Sequence, residues 1–392
     1  MSLCKSFVKT ILAFVYQRQS MLPFLFSLIF GSLLALLFAV ATENQAEGKD
    51  VKQQLEEFEK IEEGPTGLEF WDKKVRLNVL AQFNYEYLDP HDIGDNDSGS
   101  SSNFFVSSLD VALRVLFNEW SKANVVVAAE DVGKDGKSGN ITLDEATVTL
   151  EGPSIPLYFI GGKTVMPFGA FEDHLIEGTL TEDLFEINQV GATLGFEPDI
   201  YGLDISFSVY KDPQIIENLE NFETHVSRNN RKSDDEFRSY IINVTLEPIE
   251  DAFLLSTFFD SEPGDGKRNQ SIGGALTWRY ADVTLDVEYI TALDREKDED
   301  GEENKETAWL VGLAFRMTDS LELATRYEKF DDGNSGNQDE VLDYSVRGGF
   351  NYSFLKFAIF SFEYRFSKYE REKGTGAADE QNMFQFELTL AF

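Results

Sequence analysis

The sequence predicts an all-β protein, a transmembrane antiparallel β-barrel of about sixteen strands with no plug domain. Segments in which apolar and polar residues alternate recur throughout residues 73–392. The connections between them alternate between short turns and long polar loops, and the chain ends on an amphipathic strand closed by an aromatic residue. Short turns at one end, long loops at the other and an even strand count are typical of outer-membrane barrels.

The first 41 residues have the three regions of a secretory signal peptide. Residues 1–20 carry basic side chains and no acid, residues 21–41 are almost wholly apolar, and Ala39-Val40-Ala41 has the small residues of a cleavage site. An uncleaved anchor is the alternative, because 21 apolar residues are long enough to cross a bilayer. Met21 is a second candidate start.

Residues 42–72 are polar and acidic and separate the signal peptide from the first predicted strand. Val51, Leu55, Phe58 and Ile61 recur at helical spacing, but so short a segment does not form a stable helix alone. It is predicted to be a periplasmic linker with a short helical segment, with a small docking element as the alternative. A linker of about 30 residues is too short for a folded plug.

The chain is strongly acidic, with 34 Lys and Arg against 70 Asp and Glu and a formal net charge of −36. This charge argues against nucleic acid or anionic lipid as a partner, because both would be repelled. The single cysteine, Cys4, lies in the signal peptide, so no disulfide is predicted. No cofactor and no metal site are predicted: the run Asp298–Gly301 is similar to a calcium loop, but Thr307 stands where a bidentate Glu is needed.

Segments with period-two alternation predict the barrel wall. In one of the clearest, Val283, Leu285 and Val287 share an apolar face. The facing of residues 141–165 and 251–260 stays open because the alternation there is poor. The predicted strands are 75–87, 103–118, 121–132, 141–150, 156–165, 189–197, 201–211, 236–247, 251–260, 270–280, 282–293, 307–317, 321–330, 341–352, 357–369 and 382–392.

A barrel of this size leaves a water-filled lumen, and the polar face of each strand predicts what lines it. Arginines on these faces predict a basic track for an anionic solute, because guanidinium groups bind carboxylates in a bidentate way. The alternative is that they pair with neighbouring wall carboxylates. The predicted basic track is Arg76, Arg114, Arg279, Arg316, Arg326, Arg347 and Arg365, and the predicted pore-lining acids are Asp110, Asp286, Glu288, Glu322, Glu328, Asp343 and Glu363.

The third long connection, residues 166–188, is less charged and more apolar than the others. We predict that it folds into the lumen as a constriction, because so much apolar loop surface should not stand in water. Packing across the barrel mouth or against a neighbouring barrel is the alternative. The candidate constriction residues are Phe168, Phe171, Glu172, Asp173, His174 and Glu177.

The closing strand, 382–392, has an unbroken apolar face and an aromatic final residue. It resembles the last strand of Gram-negative outer-membrane barrels, which the barrel-assembly machinery recognises. The resemblance implies that machinery as a partner. The predicted assembly signal is Phe384, Phe386, Leu388, Leu390 and Phe392.

Motifs within residues 140–210 carry a second resemblance. The strand motif Asp144-Glu145-Ala146-Thr147-Val148-Thr149-Leu150 is followed by Gly162-Lys163 and by Pro167-Phe168-Gly169-Ala170-Phe171-Glu172. This order resembles the Legionella-type siderophore porins, the family named for the legiobactin receptor, although the chain differs from the family pattern at residues 177–182. The resemblance implies uptake of a ferric siderophore by facilitated diffusion through a barrel without a plug.

These observations predict an outer-membrane porin that passes small anionic solutes, with ferric siderophore uptake as the leading function. A general diffusion porin and a surface-structural or adhesion barrel are the alternatives. No enzymatic activity is predicted, because nothing places a serine or an acid pair beside any of the three histidines. The predicted partners are outer-membrane lipid and lipopolysaccharide, the barrel-assembly machinery, a small-molecule solute and a second copy of the chain.

Overall fold

A computed structural model of the chain describes residues 68–71, 73–89, 99–134, 139–152, 154–222, 237–264, 266–297, 303–333, 341–370 and 379–392. The predicted signal peptide, most of the predicted linker and the run Asp298–Gly301 lie outside these residues. In the part of the chain that is described, no helix is both long and apolar enough to cross a membrane.

The described residues contain seventeen strands and two helices. The strands are β1 (Leu68–Phe70), β2 (Val75–Asp89), β3 (Ser101–Asn118), β4 (Ser121–Val132), β5 (Asn140–Glu151), β6 (Leu157–Val165), β7 (Asn188–Phe196), β8 (Asp204–Lys211), β9 (Phe237–Ile249), β10 (Phe253–Glu262), β11 (Asn269–Tyr280), β12 (Val283–Asp294), β13 (Thr307–Thr318), β14 (Leu321–Asp331), β15 (Val341–Leu355), β16 (Ala358–Glu370) and β17 (Glu380–Ala391). The helices are α1 (Leu180–Phe185), between β6 and β7, and α2 (Gln214–Asn221), between β8 and β9.

Strands β2 to β17 form a closed antiparallel barrel of sixteen strands, each paired with its neighbours in chain order. The sheet closes where β17 pairs with β2, with Leu390 opposite Ala81. The predicted sixteen-stranded barrel is confirmed. The short strand β1 pairs with the start of β2, so the last residues of the predicted linker 42–72 belong to the sheet.

The two ends of the barrel differ in the length of their connections. Short turns such as residues 119–120 join strands at the end where β2 begins and β17 finishes. We call this the periplasmic end and the opposite one the outer end, following the plan of bacterial barrels. Aromatic side chains face outward near both ends: Tyr327 stacks on Tyr344 near the outer end, and Trp278 stacks on Tyr280 near the periplasmic end.

The poor alternation near residues 141–165 has a local cause in β5. A β-bulge leaves Asp144 without a counterpart in β4. Before the bulge the exposed apolar side chains are Ile141 and Leu143, and after it they are Val148 and Leu150. Because the bulge shifts the facing by one residue, a strict period-two pattern does not continue through it.

The barrel encloses a hydrophobic core rather than a lumen lined by polar groups throughout. Its members come from the 166–187 connection, from α2 and from the inward faces of β8 to β15. Burying one large apolar side chain fully contributes about 1.5–3 kcal/mol to the stability of the folded protein. The core residues are Met166, Phe168, Leu180, Leu184, Phe185, Ile187, Tyr210, Ile215, Ile216, Leu219, Ile241, Phe258, Ala275, Ile290, Ala308, Phe330 and Val341.

The inward-facing wall residues of this core explain the irregular pattern at 251–260. Phe258 of β10 is 1% exposed and points into the barrel, where its ring lies 4.9 Å from that of Phe168. An apolar residue on the inward face interrupts the alternation that marks a half-buried strand. The described residues contain no plug domain, and the interior is filled instead by connections between strands.

Candidate functional site

Residues 166–187, which we call the inserted segment, run from the outer end of β6 into the barrel and back to β7. Three wall glutamates accept hydrogen bonds from its main chain, which fixes its path against β12, β14 and β16. The bonds join Ala170 N to Glu288 Oε1 (2.7 Å), Leu180 N to Glu328 Oε1 (2.7 Å), and the N–H groups of Ile176 and Glu177 to Glu363 Oε2 (2.9 and 3.1 Å). Charged acceptors make these bonds stronger than those between neutral groups.

Arg326 of β14 binds the inserted segment from the wall. Its guanidinium pairs with Asp173 and donates to the carbonyl oxygens of Glu177 (2.9 Å) and Gly178 (2.8 Å). On the wall it pairs with Glu328, with 3.0 Å between Nε and Oε1. The side chain is 3% exposed, so these contacts occupy it almost completely.

Arg347 of β15 continues this network. Its Nε lies 2.8 Å from Glu328 Oε2, and its Nη1 lies 3.4 Å from Glu177 and 3.6 Å from Glu363. Arg365 of β16 pairs with Glu177 as well. Burying a charge is tolerated when it is paired and hydrogen-bonded, and here Arg326 and Arg347 each meet carboxylates from both the wall and the segment.

His174 anchors the part of the inserted segment that lies nearest the periplasmic end of the barrel. Its ring nitrogens lie 3.2 Å from Asp286 and 3.1 Å from Glu322, near the periplasmic ends of β12 and β14. The facing carboxylates, Asp286 first, raise the pKa of His174 to about 10, so the imidazole is protonated at neutral pH. Its carbonyl oxygen accepts a bond of 2.9 Å from Asn351 Nδ2.

The seven predicted pore-lining arginines divide into two groups. Arg326, Arg347 and Arg365 contact the inserted segment at mid-barrel. The other four lie near the periplasmic ends of their strands: they are Arg76, Arg114, Arg279 and Arg316. The two groups are not continuous along the open lumen, because Arg326 and Arg347 are covered by the segment. A basic track for an anionic solute stays a prediction.

The periplasmic arginines have weaker contacts. Arg76 pairs with Glu69 of β1 (2.7 Å), and Arg114 donates to Asn124 (3.1 Å). Arg279 lies 3.7 Å from Glu172 of the inserted segment and is 40% exposed. An ion pair of this exposure contributes little to stability, because solvent screens it.

The predicted acids are also divided. Asp286, Glu288, Glu322, Glu328 and Glu363 all contact the inserted segment. Two do not. Asp110 of β3 accepts a hydrogen bond from Ser108, and Asp343 lies at a bulge in β15, 3.1 Å from Lys329. Lys329 faces outward beside Tyr327, so the prediction that Asp343 lines the pore is wrong.

The predicted constriction residues have two roles. Phe168 and Phe171 pack in the core, where Phe168 is fully buried. Glu172, Asp173, His174 and Glu177 form the ionic contacts with the wall described above.

Helix α1 forms the returning arm of the inserted segment. Thr179 caps it: Glu182 N donates to Thr179 Oγ1 (3.0 Å) and Thr179 N donates to Glu182 Oε2 (3.1 Å). Leu180, Leu184 and Phe185 pack into the core. The pattern Thr-x-x-Glu before Leu184 is a sequence signal from which this helix start could have been predicted.

The opposite face of α1 is acidic, and sequence reasoning missed it. It carries Glu182 and Asp183, with Glu186 directly after the helix. Burial and the charges of neighbouring carboxylates raise the pKa of Glu182 and that of Asp183 to about 7. Burial also raises the pKa of Glu186, and the carboxylates of Asp144 on β5 and Glu130 on β4 add to it. This acidic face is the part of the inserted segment turned toward the uncovered lumen.

The closing strand lies as the alternation predicts. Phe384 and Phe386 are exposed on the outer face, while Gln385 and Glu387 are buried on the inner face. The final residue, Phe392, exchanges main-chain hydrogen bonds with Val79 of β2 (2.8 and 2.9 Å).

The closed sixteen-stranded barrel with an apolar outer face and a segment folded into its lumen is a fold that solved porin structures share. The chain is similar to the anion-selective porin from Comamonas acidovorans, with 14% identity over 81% of this chain and 99% of that chain and a TM-score of 0.59. It is similar to the outer-membrane channel DcaP of Acinetobacter baumannii, with 13% identity over 83% and 100% of the chains and a TM-score of 0.60.

A third similar structure is OmpF of Salmonella typhi in complex with daunomycin, with 12% identity over 83% and 100% of the chains and a TM-score of 0.56. Identities this low show a shared fold and nothing finer. No protein-family model matches the sequence, and no curated protein matches it.

Proposed function

We propose that the protein is an outer-membrane porin, a non-enzymatic channel through which small hydrophilic solutes diffuse past the inserted segment. The observation that carries this proposal is a closed barrel whose interior is crossed by the inserted segment, which is held against the wall. The apolar outer face suits lipid, and closure leaves no sheet edge unpaired in the membrane. The predicted signal peptide and the closing strand, as an assembly signal, agree with this location.

The inserted segment would set the size limit of the channel. It descends from the outer end to His174, which lies beside Asp286 and Glu322 near the periplasmic end. Hydrogen bonds to three wall glutamates and ion pairs to three wall arginines hold it along this path. A loop held at so many points keeps a constant shape, so the lumen beside it should have a defined width.

The charge on the side of the lumen that the inserted segment leaves uncovered favours cations. The mid-barrel arginines are occupied by carboxylates. Glu182, Asp183 and Glu186 form no ion pair with the described residues, and they lie on the acidic face of α1 toward the uncovered lumen. Carboxylates lining a narrow passage between low-dielectric walls concentrate counter-ions. We therefore propose a weak cation preference for the channel.

Uptake of an anionic solute such as a ferric siderophore is the second candidate. The resemblance of residues 140–210 to siderophore porins supports it, as do the four arginines at the periplasmic end. A homo-oligomer is also proposed, since a similar structure, OmpT of Vibrio cholerae, is described in a trimer form.

Planar-bilayer recording of the purified, folded barrel tests these proposals. We expect discrete conductance steps and, in a KCl gradient, a reversal potential of the sign that cation preference produces. A folded barrel without conductance would contradict the porin proposal. A reversal potential of the opposite sign would keep the porin proposal and favour an anionic solute. Uptake of a labelled ferric siderophore, measured in cells with and without the protein, would then test that candidate.

A further inference from the structure

Three basic residues lie at the outer end of β8 to β11, in a chain whose net charge is −36. Lys211 ends β8, Arg238 lies at the start of β9, and Arg268 directly precedes β11. All three belong to the end of the barrel with the long connections. They are separate from the inserted segment and from its arginines.

The side of the wall on which Arg268 lies follows from its contacts. Ile241 and Asp260 are buried inside the barrel, so Tyr240 and Ser261, which pair across β9 and β10, face outward. The Arg268 guanidinium lies 5.0 Å from the centre of the Tyr240 ring, and its Nε donates to Ser261 Oγ (2.6 Å). Arg268 therefore covers the lipid-facing side of the wall.

The acceptors that hold Arg268 are neutral. Its Nη2 donates to the carbonyl oxygens of Arg238 (2.8 Å) and Ser261 (2.5 Å), and none of its described bonds is to a carboxylate. Other basic groups near the outer end differ, since Lys329 is paired with Asp343 (3.1 Å). These contacts fix the position of the Arg268 guanidinium but do not neutralise its charge. Its Nη1 donates none of these bonds.

Aromatic side chains continue the patch below the cations. The rings of Phe207, Tyr240 and Phe259 lie side by side on three strands, with 6.3 Å between successive centres. Lys211 Nζ lies 6.0 Å from the centre of the Phe237 ring at the rim. Cations at the rim with aromatic rings below them match an amphiphile that has an anionic head group and acyl chains.

We propose that this patch, Lys211, Arg238 and Arg268 above Phe207, Tyr240 and Phe259, binds a phosphate group of a glycolipid in the outer leaflet. The phosphate accepts from Arg268 and Lys211, and the acyl chains lie along the rings. The net charge of the whole chain argues against an anionic lipid partner. However, charges more than about 10 Å apart in salt are screened from one another, so the local cluster decides.

The test uses the purified full-length barrel in detergent micelles doped with bisphosphorylated lipid A or with its dephosphorylated form, with bound lipid counted by native mass spectrometry. We expect wild type to bind the phosphorylated form about tenfold more tightly, and Arg268→Gln to lose about that factor. Lys329→Gln is the matched control, an outward-facing rim cation already paired with Asp343, and should bind like wild type.

Equal binding of the two lipids by wild type, or unchanged binding by a folded Arg268→Gln variant, would overturn the proposal. So would full displacement of the lipid by millimolar inorganic phosphate, which would assign the site to free phosphate. Heat-modifiable migration in gels checks that the variants are folded barrels. Channel conductance is a separate readout: its absence in wild type would contradict the porin and leave the lipid result standing.

Discussion

The two sides of the lumen wall use the same kinds of side chain differently. Along β12 to β17 the inserted segment covers the wall, and buried arginines such as Arg347 bind it through carboxylates. Along β2 to β4 nothing described covers the wall to the same extent, and polar groups bond to neighbours on it, as Arg114 does to Asn124. A lumen-facing arginine is therefore a structural anchor or an exposed charge depending on whether the segment lies over it.

The largest expected effect is the loss of an anchor. Arg347→Ala removes a cation that contacts Glu328, Glu363 and Glu177 together, and leaves Glu328 with Arg326 and Glu177 with Arg365 as their remaining partners. Breaking a buried pair in this way costs about 3–5 kcal/mol. We expect a decrease of that size in the free energy of unfolding, measured by urea titration in lipid vesicles, and larger, noisier conductance steps. The exposed Arg316→Ala is the control, and equal effects from both variants would contradict the distinction between the two sides.

A cavity under the segment should have a similar but smaller consequence. Leu184 is fully buried between α1 and the wall, and Leu184→Ala should lower the free energy of unfolding by about 3 kcal/mol. The measurement is again urea unfolding in vesicles. Because the charges are untouched, ion selectivity should stay as in wild type; a change of selectivity without loss of stability would mean that the helix does not pack as described.

The acidic face should govern selectivity without affecting stability. Glu182→Gln with Asp183→Asn removes two negative charges from the uncovered lumen, and we expect the cation preference, read from the reversal potential, to fall about two- to threefold. Asp319→Asn, in a periplasmic turn, is the charge-matched control. If the control shifts the reversal potential as much as the double variant, selectivity does not arise at α1.

The smallest expected effect is a dependence of the cation preference on pH. The pKa values of Glu182 and Asp183 are raised to about 7, so both groups are ionised at pH 8 and gain protons as the pH falls through 7 toward 6. The cation preference should therefore decline between pH 8 and pH 6. The double variant should show no such decline, and an equally strong one in that variant would assign the titration to other groups.

The strands could be predicted from the sequence wherever one face stayed apolar and the other polar. Val283, Leu285 and Val287 alternate with polar or buried residues, and β12 lies where the pattern predicts it. The prediction was incomplete in β5, because the bulge at Asp144 reverses the facing, and in β10, because Phe258 faces an apolar interior. Neither a bulge nor the contents of a lumen is encoded in local alternation.

Part of the candidate site could be predicted from the sequence. Alternation identifies Arg326 and Arg347 as lumen-facing, and composition marks 166–188 as an unusual connection. The partnership of Arg347 with Glu177 joins residues 170 positions apart, and no local rule connects them. Helix α1 has a capping signal in its sequence, but the direction of its acidic face depends on how Leu184 packs.

The sequence by itself determined the class of the protein: the closing strand, the alternation and the loop lengths predict a sixteen-stranded barrel, because strand facing is set by local geometry. The tertiary structure decided which lumen charges are buried. Closure of β17 on β2 sets the diameter, and the described wall contacts of the inserted segment run from β9 to β17. Whether a charge is neutralised depends on that long-range contact, so it can be read only from the folded molecule.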